Sequence, residues 1–115
     1  MAGPGVDLEV EDAVRARLLR AFNERNAGRT TRLEEDSLEV GAQVEETERP
    51  LRGVAYDPHG RVVTIMLGDL GTPDGHLTRS IGDVVSLDLK LDSQRRDSVL
   101  RIAHGTGQTL LKLVY

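Results

Sequence analysis

Apolar residues recur at every second position through most of the second half of the chain, in segments separated by turns too short to hold a crossover. "RVVTIML" (61–67), "VVSLDLKL" (84–91), "SVLRIA" (98–103) and "TLLKLVY" (109–115) follow this pattern, and "LRGVAY" (51–56) joins the first of them through "DPHG". Side chains along a strand point alternately to the two faces of a sheet, so a period of two marks a half-buried strand. Parallel neighbours need a long connection, so strands joined this tightly pair antiparallel. Five strands follow from the pattern. "TTRLE" (30–34) and "LEVGAQVE" (38–45) add two more, weakened by charge and by Gly41, and "HLTRSI" (76–81) a short one.

One segment has a different period. Val14, Leu18 and Phe22 step by four with Ala21 beside them, while Arg15, Arg17, Arg20, Asn23 and Glu24 occupy the other faces, which predicts an amphipathic helix over 12–27. Asp7 or Asp12 supplies an N-cap carboxylate, and Gly28 supplies the left-handed residue that ends a helix. Residues 1–10, opening "MAGPGV", read as a loose leader.

The expected fold is therefore α+β, with the N-terminal amphipathic helix packed on an antiparallel meander of about five to seven strands. The alternative closes the same strands into a small Sm-like or SH3-like barrel with the helix plugging an end. Both give alternating strands and tight turns. A length of 115 residues fits a single domain over 1–115 with its own core. With no cysteine, disulfides, thiolate zinc sites and cysteine nucleophiles are excluded. No apolar run approaches the roughly 18 residues of a membrane span, and no basic-then-apolar leader precedes the helix, so a cytoplasmic protein is expected.

The glycines and histidines concentrate at the turns. In "DPHG" Pro58 presets φ, Asp57 can accept from the backbone two residues on, and Gly60 takes positive φ; His59 occupies the tip without constraint. "TPDGH" (72–76) repeats the logic with Pro73, Asp74 and Gly75, and "AHGTGQ" (103–108) with two glycines. Asp57 with His59 and Asp74 with His76 form two "DxH" pairs that could hold a divalent metal only if the two tips met. Ser37, Ser80, Ser86, Ser93 and Ser98 sit in no nucleophile elbow, and neither "GTG" (105–107) nor "GDLG" (68–71) leads from a strand into a helix as a phosphate loop must. No catalytic, cofactor-binding or metal-binding residue is assigned on this reading.

Charge is segregated along the chain. Arg15, Arg17, Arg20, Arg25, Arg29 and Arg32 face a single acid, Glu24, between 15 and 32; Glu34, Glu35, Asp36, Glu39, Glu45, Glu46 and Glu48 face Arg49 between 33 and 49. The plain explanation is solvation or mutual pairing. The functional one is an arginine-rich helix face for RNA, but the net charge is −4 and Phe22, Tyr56 and Tyr115 are the only aromatics, too few for a stacking platform.

"FNERNAGRTTRLE", "VGAQVEETERPLRGVAYD", "IMLGD", "HLTRSI" and "LRIAHGTGQTLLKLVY" together resemble a small bacterial family known only as a domain of unknown function, over roughly residues 18–115. That family has an N-terminal helix, a "PLxGVxYD"-like centre and a C-terminal strand pair joined by a glycine turn. The tryptophan the family tends to carry at the helix start is missing here. The resemblance implies no activity, cofactor or site residue.

The expected role is a non-catalytic protein-interaction or self-associating module, whose partner is an unidentified protein or a second copy in a homodimer. Nucleic-acid binding through the helix arginines and a hydrolase or metal site at the turn tips are the alternatives. The homodimer expectation rests on "TLLKLVY": Leu111, Leu113 and Tyr115 take one face and Leu110, Lys112 and Val114 the other, and one helix can cover only one face.

Overall fold

The computed structural model describes residues 8–37, 41–44, 48–68 and 75–115. One helix, α1 (Leu8–Asn26), precedes eight strands: β1 (Thr30–Ser37), β2 (Gly41–Val44), β3 (Arg49–Asp57), β4 (Val62–Leu67), β5 (Leu77–Ile81), β6 (Val84–Leu91), β7 (Asp97–His104) and β8 (Gly107–Leu113). The sheet runs β5-β4-β3-β1-β8-β7-β6, with β2 paired on β1, and every ladder is antiparallel. The α+β arrangement of helix and meander is thus present. The helix starts at Leu8, earlier than expected, so residues 8–10 of the supposed leader are helical.

The sheet is not closed, yet it curls strongly. Its two end strands, β5 and β6, are joined by Gly82 and Asp83 alone, which limits Ile81 and Val84 to about 11 Å apart. Asp83 adopts φ 52°, a left-handed conformation that a short polar residue tolerates, and so turns the corner. The Val84 N–H then donates to the Arg61 carbonyl across the bend at 3.0 Å. β1 meets β3 only at Thr30↔Pro50 and Thr31↔Arg49, after which the two diverge. The result is two packed layers, β3-β4-β5 against β1-β8-β7-β6, with the core between them.

The helix sends Leu19 and Phe22 into that core, against buried residues that include Leu33, Leu51, Val54, Ile65, Leu100, Ile102 and Leu111. The expected stripe is corrected at one end: Val14 is 55% exposed, and the covered side passes through Arg15, Leu19, Phe22 and Asn26. Arg15 donates to the Tyr56 hydroxyl (3.1 Å) and to the Val85 carbonyl (2.8 Å). Tyr56 in turn donates to Asp12 at 2.7 Å. Burial, and then the hydrogen bond to Asp12, push the Tyr56 phenol above its ordinary pKa. Two long polar side chains therefore hold the helix where apolar counting placed a valine.

Past the helix C-terminus, Gly28 takes φ +81° as expected, and its N–H donates to the Leu51 carbonyl at 2.8 Å. Asp97, buried at the start of β7, accepts Arg25 Nε and Asn26 Nδ2, each at 2.7 Å. The Tyr115 hydroxyl donates to the Asp97 carbonyl at 2.6 Å, and its ring is stacked by Arg29 and Arg96 at 4.4 and 3.9 Å. The C-terminal end of the chain is thus tied to the helix end.

Candidate interaction surface

The two faces of β8 have unlike surroundings. Thr109, Leu111 and Leu113 are buried between the layers, while Leu110, Lys112 and Val114 point away from the core and stay part-exposed. Among the described residues no element covers this outer face. The layer β1-β8-β7-β6 presents there a shallow groove with Leu110 and Val99 at its base and Asp88, Lys90, Arg101 and Lys112 around them.

Register places these residues in rows across the strands. Arg32, Lys112, Val99 and Lys90 oppose one another in one row, and Glu34, Leu110, Arg101 and Asp88 in the next. The rows are knitted by ion pairs, Lys112–Glu34 at 2.6 Å and Arg101–Asp88 at 2.8 Å, with Arg32 reaching Glu48 at 2.6 Å. Exposed pairs of this kind contribute little to stability. They do set the electrostatic pattern of the face.

Two irregularities decide which β6 side chains belong here. A bulge between Val84 and Ser86 makes Val85 an extra residue, so Val84 is buried and Val85 is 59% exposed. Another between Lys90 and Leu91 turns Leu91 out. Strict alternation, which grouped Val85, Leu87, Leu89 and Leu91 on one face, holds only for Leu87 and Leu89, which pack against the core.

A second concavity, a cleft of about 400 Å³, opens between the layers at the far end of β1. Glu35 and Arg79 form an ion pair across it, and His104, Asp83 and Thr109 line it. His104, one of the turn histidines, lines this cleft, and its Nδ1 lies 3.4 Å from the Thr106 hydroxyl.

The tips singled out for metal binding do not meet. His59 lies in the β3–β4 turn and His76 in the approach to β5, at opposite ends of β4, some 20 Å apart for a strand of that length. Asp74 and Pro73 lie outside the described residues. The His59 side chain is 98% exposed. The turn itself has the expected form: Asp57 Oδ1 accepts the His59 N–H at 2.9 Å and Gly60 has φ +79°. Arg61 also takes positive φ, at 52°, which the sequence did not suggest.

The arginine-rich helix face is thinner than its sequence implies. Arg15 is spent on Tyr56 and Val85 and Arg25 on Asp97, while Arg17 and Arg20 are exposed to solvent. Of the acids expected to answer them, Glu48 pairs with Arg32, whereas Glu34 and Glu35 pair with Lys112 and Arg79; Glu39, Glu45 and Glu46 lie outside the described residues. The outward rows escaped the sequence reading because Asp88 and Lys90 are visible as an alternating polar set, but their cross-strand neighbours are not.

No helix among the described residues is long and apolar enough to cross a membrane. No curated protein and no solved structure matches the chain. One family does match, over residues 6–111, spanning the helix and nearly all of the sheet, and the chain belongs to it: DUF5335, a family of unknown function.

Proposed function

We propose that this chain is a non-catalytic protein-interaction module that binds through the outer face of β1-β8-β7-β6. One observation carries the reading: Leu110 and Val99 form an apolar centre on a sheet face that no described element covers, rimmed by charges of both signs. Interfaces combine such a centre with a polar rim. The 400 Å³ cleft supports chemistry less well, since its guanidinium is held by Glu35 and its imidazole Nδ1 lies against the Thr106 hydroxyl.

The test is a photo-crosslinking residue at Val99, with the same residue at exposed Arg17 as control, in cells that make the protein. Discrete adducts from position 99 that vanish in the Leu110→Lys, Val114→Lys double variant, itself folded by circular dichroism, are expected. Equal background from both positions would overturn the reading.

A further inference from the structure

Resting on that reading, we infer that the occupant of the outer face is a second copy of the same chain, docked face to face about a two-fold axis that runs across the strands between the two charged rows. The charge pattern of the face is self-complementary. On β1 a base and an acid follow each other on the same face, Arg32 then Glu34; on β6, at the other side of the layer, Lys90 and Asp88 do the same. In both flanks the base lies in the row of Lys112 and Val99, and the acid in the row of Leu110 and Arg101.

Rotation by a half-turn about an axis between those rows and across the strands lays each row on the other. Arg32 then faces Glu34 of the second copy and Lys90 faces Asp88, and each pair recurs by symmetry. In the two central strands Leu110 falls on the aliphatic stem of Lys112, and Val99 on that of Arg101, which can cover apolar surface while their charged ends stay wet. A half-turn about an axis along the strands instead sets Arg32 against Lys90 and Glu34 against Asp88, two like-charge oppositions that disfavour it. Lys90 pairs with no carboxylate among the described residues, so it enters the dimer without giving up a partner. Two-fold closure also leaves no complementary face open for further growth.

Size sets the strength. Four strands about 4.8 Å apart and two outward rows about 7 Å apart give a face of roughly 270 Å², about a third of the 800 Å² or so that each partner buries in a standard interface. The dimer is accordingly weak, reversible and sensitive to salt.

Sedimentation equilibrium on the full chain tests this, over about 10 to 500 µM, in the weak range for an interface of this size. One variant carries Arg32→Glu and Lys90→Glu, making both rows of the flanks acidic; the other carries Glu34→Arg and Asp88→Lys, making them basic. Wild type is expected to dimerise, with a dissociation constant that rises at least about tenfold between low and high salt. Each variant alone should be monomeric, and an equimolar mixture should form a heterodimer. A wild type that stays monomeric, a variant that dimerises like wild type, or a mixture that stays monomeric would overturn the inference. Should either variant misfold, the salt dependence of the wild type decides: a dimer indifferent to salt refutes the pairing. A monomeric wild type that still gives adducts from position 99 to another protein removes the second copy and keeps the interaction face; absence of both removes the reading itself.

Discussion

The side-chain amide of Asn23 closes on the peptide of Val54 from both sides, its Oδ1 accepting the Val54 N–H and its Nδ2 donating to the Val54 carbonyl, each at 2.9 Å. Val54 pairs with Ile65 of β4 on one side; on the other, β1 has already diverged after Thr31. A helix residue thus stands where a strand neighbour would be, and satisfies two groups that burial would otherwise orphan.

Asn23→Ala should therefore destabilise by about 2–4 kcal/mol, since each unsatisfied buried group costs roughly 1–3 kcal/mol. Asn23→Asp should lose most of this too, as a carboxylate cannot donate to the carbonyl. Urea unfolding checks both, and equal stability of Asn23→Ala and wild type would refute the role.

The two glycines of the β7–β8 hairpin should behave oppositely. A Cβ on Gly107 would sit 2.1 Å from the Asp36 carbonyl oxygen and 2.8 Å from Ser37 Cα, because β1 and β8 cross closely there. Gly105 meets nothing within 4 Å. Gly107→Ala is expected to cost on the order of 3 kcal/mol or more through backbone displacement, and Gly105→Ala less than about 0.5 kcal/mol. Thermal melts of the two variants compare them directly.

In the β3–β4 turn, His59→Ala should be nearly silent, as the imidazole is almost wholly exposed. Gly60→Val should cost a few kcal/mol, because a β-branched residue resists the φ of +79° found there. The reverse order in chemical denaturation would give His59 a role the turn does not explain.

Asp97 and Arg25 are unequal partners. Asp97 is buried and Arg25 half exposed, so removing the carboxylate strands Asn26 as well as the guanidinium, while removing Arg25 leaves Asp97 still bonded to Asn26. Asp97→Ala is expected to cost about 3 kcal/mol, and Arg25→Ala about half as much. A double-mutant cycle measures the coupling, and near-zero coupling would show that the pair acts independently.

Asp92 sets a pH dependence in the β6–β7 turn. The backbone N–H of Arg96, helped by its guanidinium and by the Gln94 N–H, holds the Asp92 carboxyl below its ordinary pKa of 3.8. A depressed pKa stabilises the fold above the unfolded value and loses that contribution as pH falls through the folded one. The turn amides of Gln94 and Arg96 should accordingly keep their chemical shifts down to about pH 4 and move only below it; a shift completed above that pH would contradict the bonding.

Alternation and turn residues by themselves determined much of this protein: a helix followed by an antiparallel meander, read as five to seven strands where the structure has eight, a helix ended at Gly28, the Asp57–His59–Gly60 turn, and a β8 with apolar side chains on both faces. These are local properties, decided within a few residues by side-chain direction and φ preference. Tertiary structure alone decided that Val14 is exposed while Arg15 and Asn23 face inward, because their partners, Tyr56, Val85 and Val54, lie 31 to 70 residues away. It decided that His59 and His76 stand at opposite ends of β4, and that the bulge at Val85 exchanges which valine is buried. The charged rows of the outer face depend on it too, since Arg32, Lys112, Val99 and Lys90 come from four strands, and only the register of the ladders aligns them.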